Sequence, residues 1–113
     1  EMAELYRDAD IFISSSLEGE GFGLPAIEAL ASGVPSILTD ISTYRNFNEN
    51  KDFAYFVPTH SPEKIAEGIE SFIMNVEFRN KCIENGLRVA HAFSLERTKN
   101  DLIKFMRDLH SEN

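Results

Sequence analysis

Glycines and glutamates are concentrated in residues 18–28, which read EGEGFGLPAIE. A helix that begins near Leu24 or Pro25 leaves its first backbone N–H groups without intrahelical acceptors and places the positive end of its dipole there. Neither Gly23 nor Leu24 has a side-chain oxygen that could cap those groups. We therefore predict that the backbone amides from Gly21 to Leu24, with those of the first helical turn, face a ligand rich in oxygen, such as a phosphate or a sugar.

Two glutamates flank these amides. Glu20 lies in the loop, and Glu28 lies about one turn into the predicted helix, which would hold its carboxylate in a fixed direction. Carboxylates accept hydrogen bonds from the hydroxyl groups of a ribose or a hexose, so the pair suits a sugar attached to a phosphate. On spacing alone the simpler alternative is that the helix dipole favours Glu28 and that Glu20 is a solvated loop acid. Glu18 ranks below both as a site residue.

The loop does not match a general phosphate-binding motif. The run GEGFG is not GxGxxG, and no GK[ST] follows it, so neither the dinucleotide fingerprint nor the P-loop is met. A tight turn without a ligand is the alternative that the glycines alone leave open.

The elements around the loop read as a strand, a helix and a second strand. Ile11–Ile13 is a short apolar run typical of a buried parallel strand, and Val34–Leu38 is another. Pro25 suits the first turn of the intervening helix, and Gly33 suits its C-terminal stop. We expect a right-handed βαβ unit with the loop at the carboxyl end of the first strand, where open α/β sheets bind ligands.

The next segment, Thr39–Asn50, is polar and is predicted to be irregular. Within it, Tyr44 and Arg45 are expected to form an exposed loop pair, and contact with a substrate is the functional alternative. Phe53–Val57 predicts a third strand that ends at Pro58.

Helices are predicted for the rest of the chain. Ser61 and Pro62 suit an N-cap and a first helical position, and helical spacing of apolar residues continues through Phe93. A further helix is predicted from Ser94. Its apolar side consists of Phe105, Met106 and Leu109 and would pack either in the core or on another domain.

Strands in the first half and helices at the end predict an α/β fold, a partial Rossmann-like parallel sheet with C-terminal helices packed across it. Three strands are few for such a sheet, and Glu1–Arg7 has the character of the later turns of a helix without an entry signal. We therefore expect residues 1–113 to be a single partial domain that continues upstream.

The composition argues against several classes of function. Eleven basic and 19 acidic residues give a net charge of −8, which opposes broad contact with nucleic acid. The single cysteine, Cys82, cannot close an intramolecular disulfide, and the three scattered histidines lack the spacing of metal ligands. No apolar run reaches the roughly 18 residues of a membrane span, and no signal-peptide pattern is present. We expect a cytoplasmic protein that binds neither metal nor nucleic acid.

The stretch EGFGLPAIEALASGVPSI, Glu20 to Ile37, closely resembles the E-x(7)-E region of glycosyltransferase family 4, the retaining GT-B enzymes that transfer a sugar from a nucleotide donor. The segments LYRDADIFISSS, TDISTYRNF, YFVPTHSPEKIAEGI and AHAFSLERT also resemble parts of that family. The likeness covers nearly all of the chain but only the second half of the family's C-terminal, nucleotide-sugar-binding domain.

The resemblance implies specific roles in the loop. Glu20 would be the first acid of the motif, a catalytic residue close to the donor sugar, and Glu28 would bind the ribose hydroxyls of the nucleotide. Four main-chain amides would bind the sugar hydroxyls and the diphosphate, those of Gly21, Phe22, Gly23 and Leu24. The implied activity is metal-independent, retaining transfer of a hexose from a UDP- or GDP-linked donor to a glycan or a lipid-linked acceptor, as in polysaccharide biosynthesis.

Some features of the family are absent from this sequence. No Arg or Lys lies between residues 8 and 44, so the family's basic pair for the diphosphate, like its N-terminal acceptor domain, would be supplied upstream. Ser36 and Leu95 stand where the family often has a valine and an aromatic residue. We expect the 113 residues alone to have little or no transferase activity, and a full-length enzyme to permit peripheral membrane association. The alternative is a noncatalytic interaction or regulatory module that keeps the GT-B-like fold.

Overall fold

Three short strands and four helices make up the part of the chain that the computed structural model describes, residues 11–19 and 23–111. The elements are β1 (Phe12–Ser14), α1 (Leu24–Ala31), β2 (Ser36–Thr39), α2 (Ser42–Arg45), β3 (Tyr55–Val57), α3 (Pro62–Met74) and α4 (Val76–Ser111). The predicted α/β class is confirmed. The predicted helical turns of residues 1–7 lie outside the described residues.

The three strands form one parallel sheet in the order β1-β2-β3. Ile13 pairs with Ile37, and Leu38 pairs with Phe56. Each strand begins and ends within two residues of the bounds predicted from its apolar run. All three carboxyl ends therefore meet at the same edge of the sheet.

Helix α1 joins β1 to β2 as the sequence predicts. Pro25 lies in its first turn, where its missing N–H removes no helical hydrogen bond. The chain leaves the helix through Ser32 and through Gly33, whose φ of 74° lies in the left-handed region that glycine adopts without steric cost. Four residues of the helix are buried against the sheet and α4, namely Ala26, Ile27, Ala29 and Leu30.

The connection from β2 to β3 is more ordered than predicted. The expectation of an irregular segment is wrong for α2, which occupies residues 42–45. Tyr44 is only 4% exposed, so the expectation of an exposed loop pair is wrong for Tyr44, while Arg45 is exposed. Tyr44 and Phe47 are three residues apart, which places both on one side of a helical turn, and both pack into the core.

Ser61 is the N-cap residue of α3 and Pro62 follows it, as predicted, but the Ser61 side chain makes no capping hydrogen bond. After Asn75, whose side-chain oxygen accepts a hydrogen bond from the Phe78 N–H at 2.9 Å, helix α4 runs without interruption. The predicted start of a new helix at Ser94 is therefore wrong. A single serine between good helix formers, without glycine or proline, does not end a helix.

Two apolar clusters lie on opposite faces of the sheet because neighbouring strand residues point in opposite directions. Leu38 contributes to the cluster under α1, whereas Ile37 contributes to the cluster that includes Phe72 of α3. Helix α4 contributes to both, through Val89 to the first and through Cys82 to the second. Burial, with a smaller effect of Asp52, raises the pKa of the Cys82 thiol to about 11, which suits an inert packing residue.

The end of α4 carries apolar side chains that are about half exposed or more. Phe105 and Met106 are each 60% exposed and Leu109 is 49% exposed, so the alternative that this side joins the core is wrong. Within the described ranges, no helix combines the length and the apolar character needed to cross a membrane.

Gly68 tests how closely α3 packs on the sheet. A Cβ atom at this position would lie 2.8 Å from Cδ1 of Tyr55 and 3.0 Å from Cδ1 of Ile37. We predict that Gly68→Ala lowers the free energy of unfolding by about 1 kcal/mol, because overpacking costs more than the roughly 1 kcal/mol that alanine gains in helix propensity. Urea denaturation measures the change. Ala66→Gly on the exposed side of α3 is the propensity control, and a stabilising Gly68→Ala would contradict the close packing.

Candidate functional site

The candidate site lies where the carboxyl ends of the three strands meet. The glycine-rich loop leaves β1 at this edge, and two open clefts lie beside it, of about 500 and 400 Å³. Glu18, Asp40, Phe56 and Thr59 are among the residues of the larger cleft. Ser15, Thr39 and His60 are among those of the smaller one. The position matches the edge at which open parallel sheets bind ligands.

Helix α1 begins at this edge without a side-chain cap. Its N-cap residue is Gly23, with φ 77° and ψ 13°, and none of the side chains in residues 11–19 and 23–111 caps the helix. The first helical bond to a described acceptor runs from the Ile27 N–H to the Gly23 carbonyl at 3.0 Å. Since Pro25 has no N–H, the Leu24 amide is left as the donor at the very start of the helix. The predicted helix start without a capping side chain is confirmed for the described residues.

Gly23 is also fixed by packing. A Cβ atom at this position would lie 2.6 Å from Cζ of Phe47 and 3.1 Å from Cγ2 of Thr43. Both the positive φ and the close approach of a core ring therefore require glycine here. This second reason was not visible in the sequence.

The predicted donor-binding residues fall into two groups. Gly23, Leu24 and Glu28 are described, and Leu24 and Glu28 are both exposed on α1. Four residues apart on a helix, these two side chains lie on the same side. Glu20, Gly21 and Phe22 lie outside the described residues. The catalytic role of Glu20 and the donor-binding roles of the other five residues all stay predictions.

Glu18 has a structural partner. Its carboxylate accepts hydrogen bonds from the Ser42 N–H at 3.0 and 3.2 Å and from the Ser42 hydroxyl. It therefore caps α2, although the two residues are 24 positions apart. The Ser42 side chain, the Ser42 backbone and then Arg45 lower the pKa of Glu18 below its ordinary value of 4.5. Sequence reasoning ranked Glu18 last among the acids, and no local pattern pointed to this partner.

Arg45 and Lys51 bring positive charge to this edge. Arg45 donates to the Asp40 carbonyl at 2.8 Å and lies 3.3 Å from its carboxylate, while Lys51 Nζ lies 3.2 Å from the same carboxylate. Burial opposes ionisation of Asp40, but the hydrogen bonds and charges of the two cations outweigh it and lower its pKa. Because carboxylates already pair with both cations, neither side chain is positioned to bind a phosphate.

This parallel sheet with an uncapped helix at its carboxyl edge defines an α/β domain of the kind that forms the C-terminal domain of GT-B glycosyltransferases. The family model for glycosyl transferases group 1 matches residues 1–89, and the chain belongs to this family.

Similar proteins agree with this assignment. The C-terminal domain of a glycosyl transferase group 1 family protein (LpcC) from Francisella tularensis is 32% identical, with a TM-score of 0.69 over 78% of this chain and 45% of that chain. Phosphatidyl-myo-inositol mannosyltransferase from Mycobacterium leprae is 23% identical over 80% of this chain. D-inositol 3-phosphate glycosyltransferase from Jonesia denitrificans is 28% identical over 90% of it. The chain spans 24% of the length of each of these two curated relatives.

Substitutions at Gly19 and Gly23, the two described glycines of the loop, allow the cost of backbone strain to be measured separately from the cost of steric crowding. Gly19 has φ 84° with no atom within 4 Å of an added Cβ, whereas Gly23 has a similar φ and a core ring in contact. We predict that Gly19→Ala costs about 1 kcal/mol and Gly23→Ala about 2–4 kcal/mol of unfolding free energy. Urea denaturation of both variants measures the difference. Equal costs would show that Phe47 does not press on Gly23.

The Glu18 contacts predict a pH dependence. Because the pKa of Glu18 is lower in the folded chain than in the unfolded chain, these contacts stabilise the fold above pH 4.5 and are lost as the pH falls through the folded-state pKa. Ser42→Ala, which keeps the backbone bond, should move the pKa back toward 4.5. A carboxyl ¹³C NMR titration measures both values. A parent Glu18 that titrates at or above 4.5 would contradict the capping role.

Proposed function

We propose that this chain is the donor-binding part of a retaining glycosyltransferase that uses a UDP- or GDP-linked sugar. The observation that carries the proposal is the start of α1, an uncapped helix N-terminus at the carboxyl edge of a parallel sheet. The helix dipole and free N–H groups at such a position favour a negatively charged ligand, and a sugar diphosphate supplies that charge.

Glu28 supports the sugar part of the proposal. It is exposed on α1, on the same side as Leu24, one turn from the uncapped end. None of the other described residues forms an ion pair or a hydrogen bond with its carboxylate. The carboxylate can therefore accept hydrogen bonds from the two ribose hydroxyls of a nucleotide whose diphosphate lies at the helix end.

The remaining roles extend this arrangement to the predicted loop. Glu20 would act close to the donor sugar, and the amides of Gly21 and Phe22 would join those of Gly23 and Leu24 around the diphosphate. Catalysis would then be mainly electrostatic and independent of metal: fixed dipoles stabilise the departing nucleoside diphosphate while the acceptor attacks from the same face.

The proposal extends to the sugar and the acceptor that the full natural protein uses. The similar proteins include a phosphatidyl-myo-inositol mannosyltransferase, so a hexose and a glycan or lipid-linked acceptor are the substrates we propose for the full natural protein. Acceptor contacts, further positive charge for the diphosphate and any peripheral membrane association would then come from outside these 113 residues. We propose a cytoplasmic location, where nucleotide sugars are the donors.

Glu28→Gln tests the ribose contact. We predict that it raises the Kd for the bound nucleotide about 10- to 100-fold in the full natural protein, because a carboxylate that accepts two hydroxyl hydrogen bonds is lost. Calorimetric titration with UDP-glucose and GDP-mannose measures the Kd. Glu70→Gln changes an exposed glutamate of α3; it is the matched control and should leave the Kd unchanged. A parent that shows no saturable binding of either would favour the noncatalytic interaction module.

The isolated 113 residues offer a second test. Because the two cations described at this edge, Arg45 and Lys51, already pair with carboxylates, we predict little or no transfer of radiolabelled sugar from either donor. Turnover comparable to that of the full natural protein would refute this division of labour.

A further inference from the structure

We propose that residues 42–47, named here the support segment, position both stems of the glycine-rich loop, with Tyr44 as the principal positioning residue. The stems are residues 14–19 on the strand side and residues 23–24 on the helix side. The inference rests on the proposed function, because it assigns the support segment the task of holding the donor-binding amides in place.

Tyr44 holds the start of the strand-side stem. Its hydroxyl and that of Ser14 share a hydrogen bond with 2.5 Å between the oxygens, and Ser14 in turn donates to the Ser16 hydroxyl at 3.2 Å. Thr39 of β2 adds a bond from its hydroxyl to the Ser16 carbonyl at 2.6 Å. The chain leaving β1 is therefore tied to the neighbouring elements.

Glu18 ties down the far end of the same stem. Its carboxylate binds both the N–H and the hydroxyl of Ser42, and it lies 3.7 Å from Nη2 of Arg45. The strand-side stem thus contacts the support segment at both of its ends, through Ser14 and through Glu18.

Phe47 and Thr43 hold the helix-side stem. Gly23 is the N-cap of α1, and these two side chains lie so close to it that a Cβ atom at this position would clash with them. Residues 42–45 and Phe47 therefore contact both stems of the loop. Ser14 in one stem and Gly23 in the other are nine positions apart in the sequence. The support segment joins the two stems through space.

The support segment can act as a rigid base because it is built into the core. The ring of Phe47 lies 5.8 Å from those of Tyr44 and Phe93 and 6.3 Å from that of Phe53, between centroids. Phe53 is fully buried. A base held by four packed aromatic rings moves little, so the hydroxyl of Tyr44 presents Ser14 with a fixed partner.

This positioning has a functional consequence that differs from ordinary stability. Amides act on a bound diphosphate only when they are held close to its oxygens, and small displacements weaken such contacts strongly. Loss of the Tyr44 hydroxyl removes one tie of the loop while leaving the ring in the core. The effect should therefore appear in donor binding and in local exchange of the stem, more than in global unfolding.

Tyr44→Phe, Ser14→Ala and the double variant test the proposal in the full natural protein. We expect each single variant to raise the Kd for UDP-glucose or GDP-mannose, whichever the parent binds, about fivefold, and the double variant to add little because both remove the same bond. Hydrogen exchange at the amides of residues 15–19 should become about tenfold faster. Tyr55→Phe is the control, since it removes a hydroxyl from β3, away from the loop.

The outcomes separate the two proposals. A parent that binds neither donor while Tyr44→Phe speeds exchange in residues 15–19 would overturn the proposed function and leave the positioning of the stem supported. A parent that binds donor with the same Kd as Tyr44→Phe would overturn the positioning role and leave the proposed function standing. Equal changes in Tyr44→Phe and Tyr55→Phe would also overturn it, because they would reflect only a general loosening of the fold.

Discussion

The start of α1 on a left-handed glycine is the constraint on which the rest of the site depends. A side chain at Gly23 would collide with Phe47, and a side-chain cap would occupy the amides that a ligand needs. Pro25 lies in the first turn and has no N–H, so it adds no backbone donor that would need a partner at this end of the helix. The local sequence thus gives up helix stability at one end and leaves a polarised surface there.

The fold makes up for this loss through packing. Helix α1 buries four residues between the sheet and α4, so its position does not depend on a cap. Helix α4 packs on both sides of the sheet and fixes α1 and α3 relative to the strands. The short parallel strands bring the ends of β1, β2 and β3 together, and loops from all three surround one edge. Burial on the two faces therefore stabilises an edge that is itself polar.

The elements with local signals could be predicted from the sequence. Short apolar runs identified the three strands, and Pro25 with Gly33 identified the bounds of α1. The support segment could not be predicted in the same way, because its partners Ser14, Glu18 and Gly23 are distant in sequence. The three-residue spacing of Tyr44 and Phe47 was the one available sign of a helical turn. The expectation of a helix start at Ser94 was wrong because a capping residue marks a helix start only where the preceding helix also ends.

The central claim is that the backbone amides at the start of α1 receive a nucleoside diphosphate. The most direct measurement is a titration of the ¹⁵N-labelled protein with UDP and GDP, followed through backbone amide chemical shifts. The account predicts saturable shifts that are largest at Gly23, Leu24 and Ala26 and small in α3. Saturable shifts centred on α3 or on the end of α4, with the first turn of α1 unaffected, would contradict it.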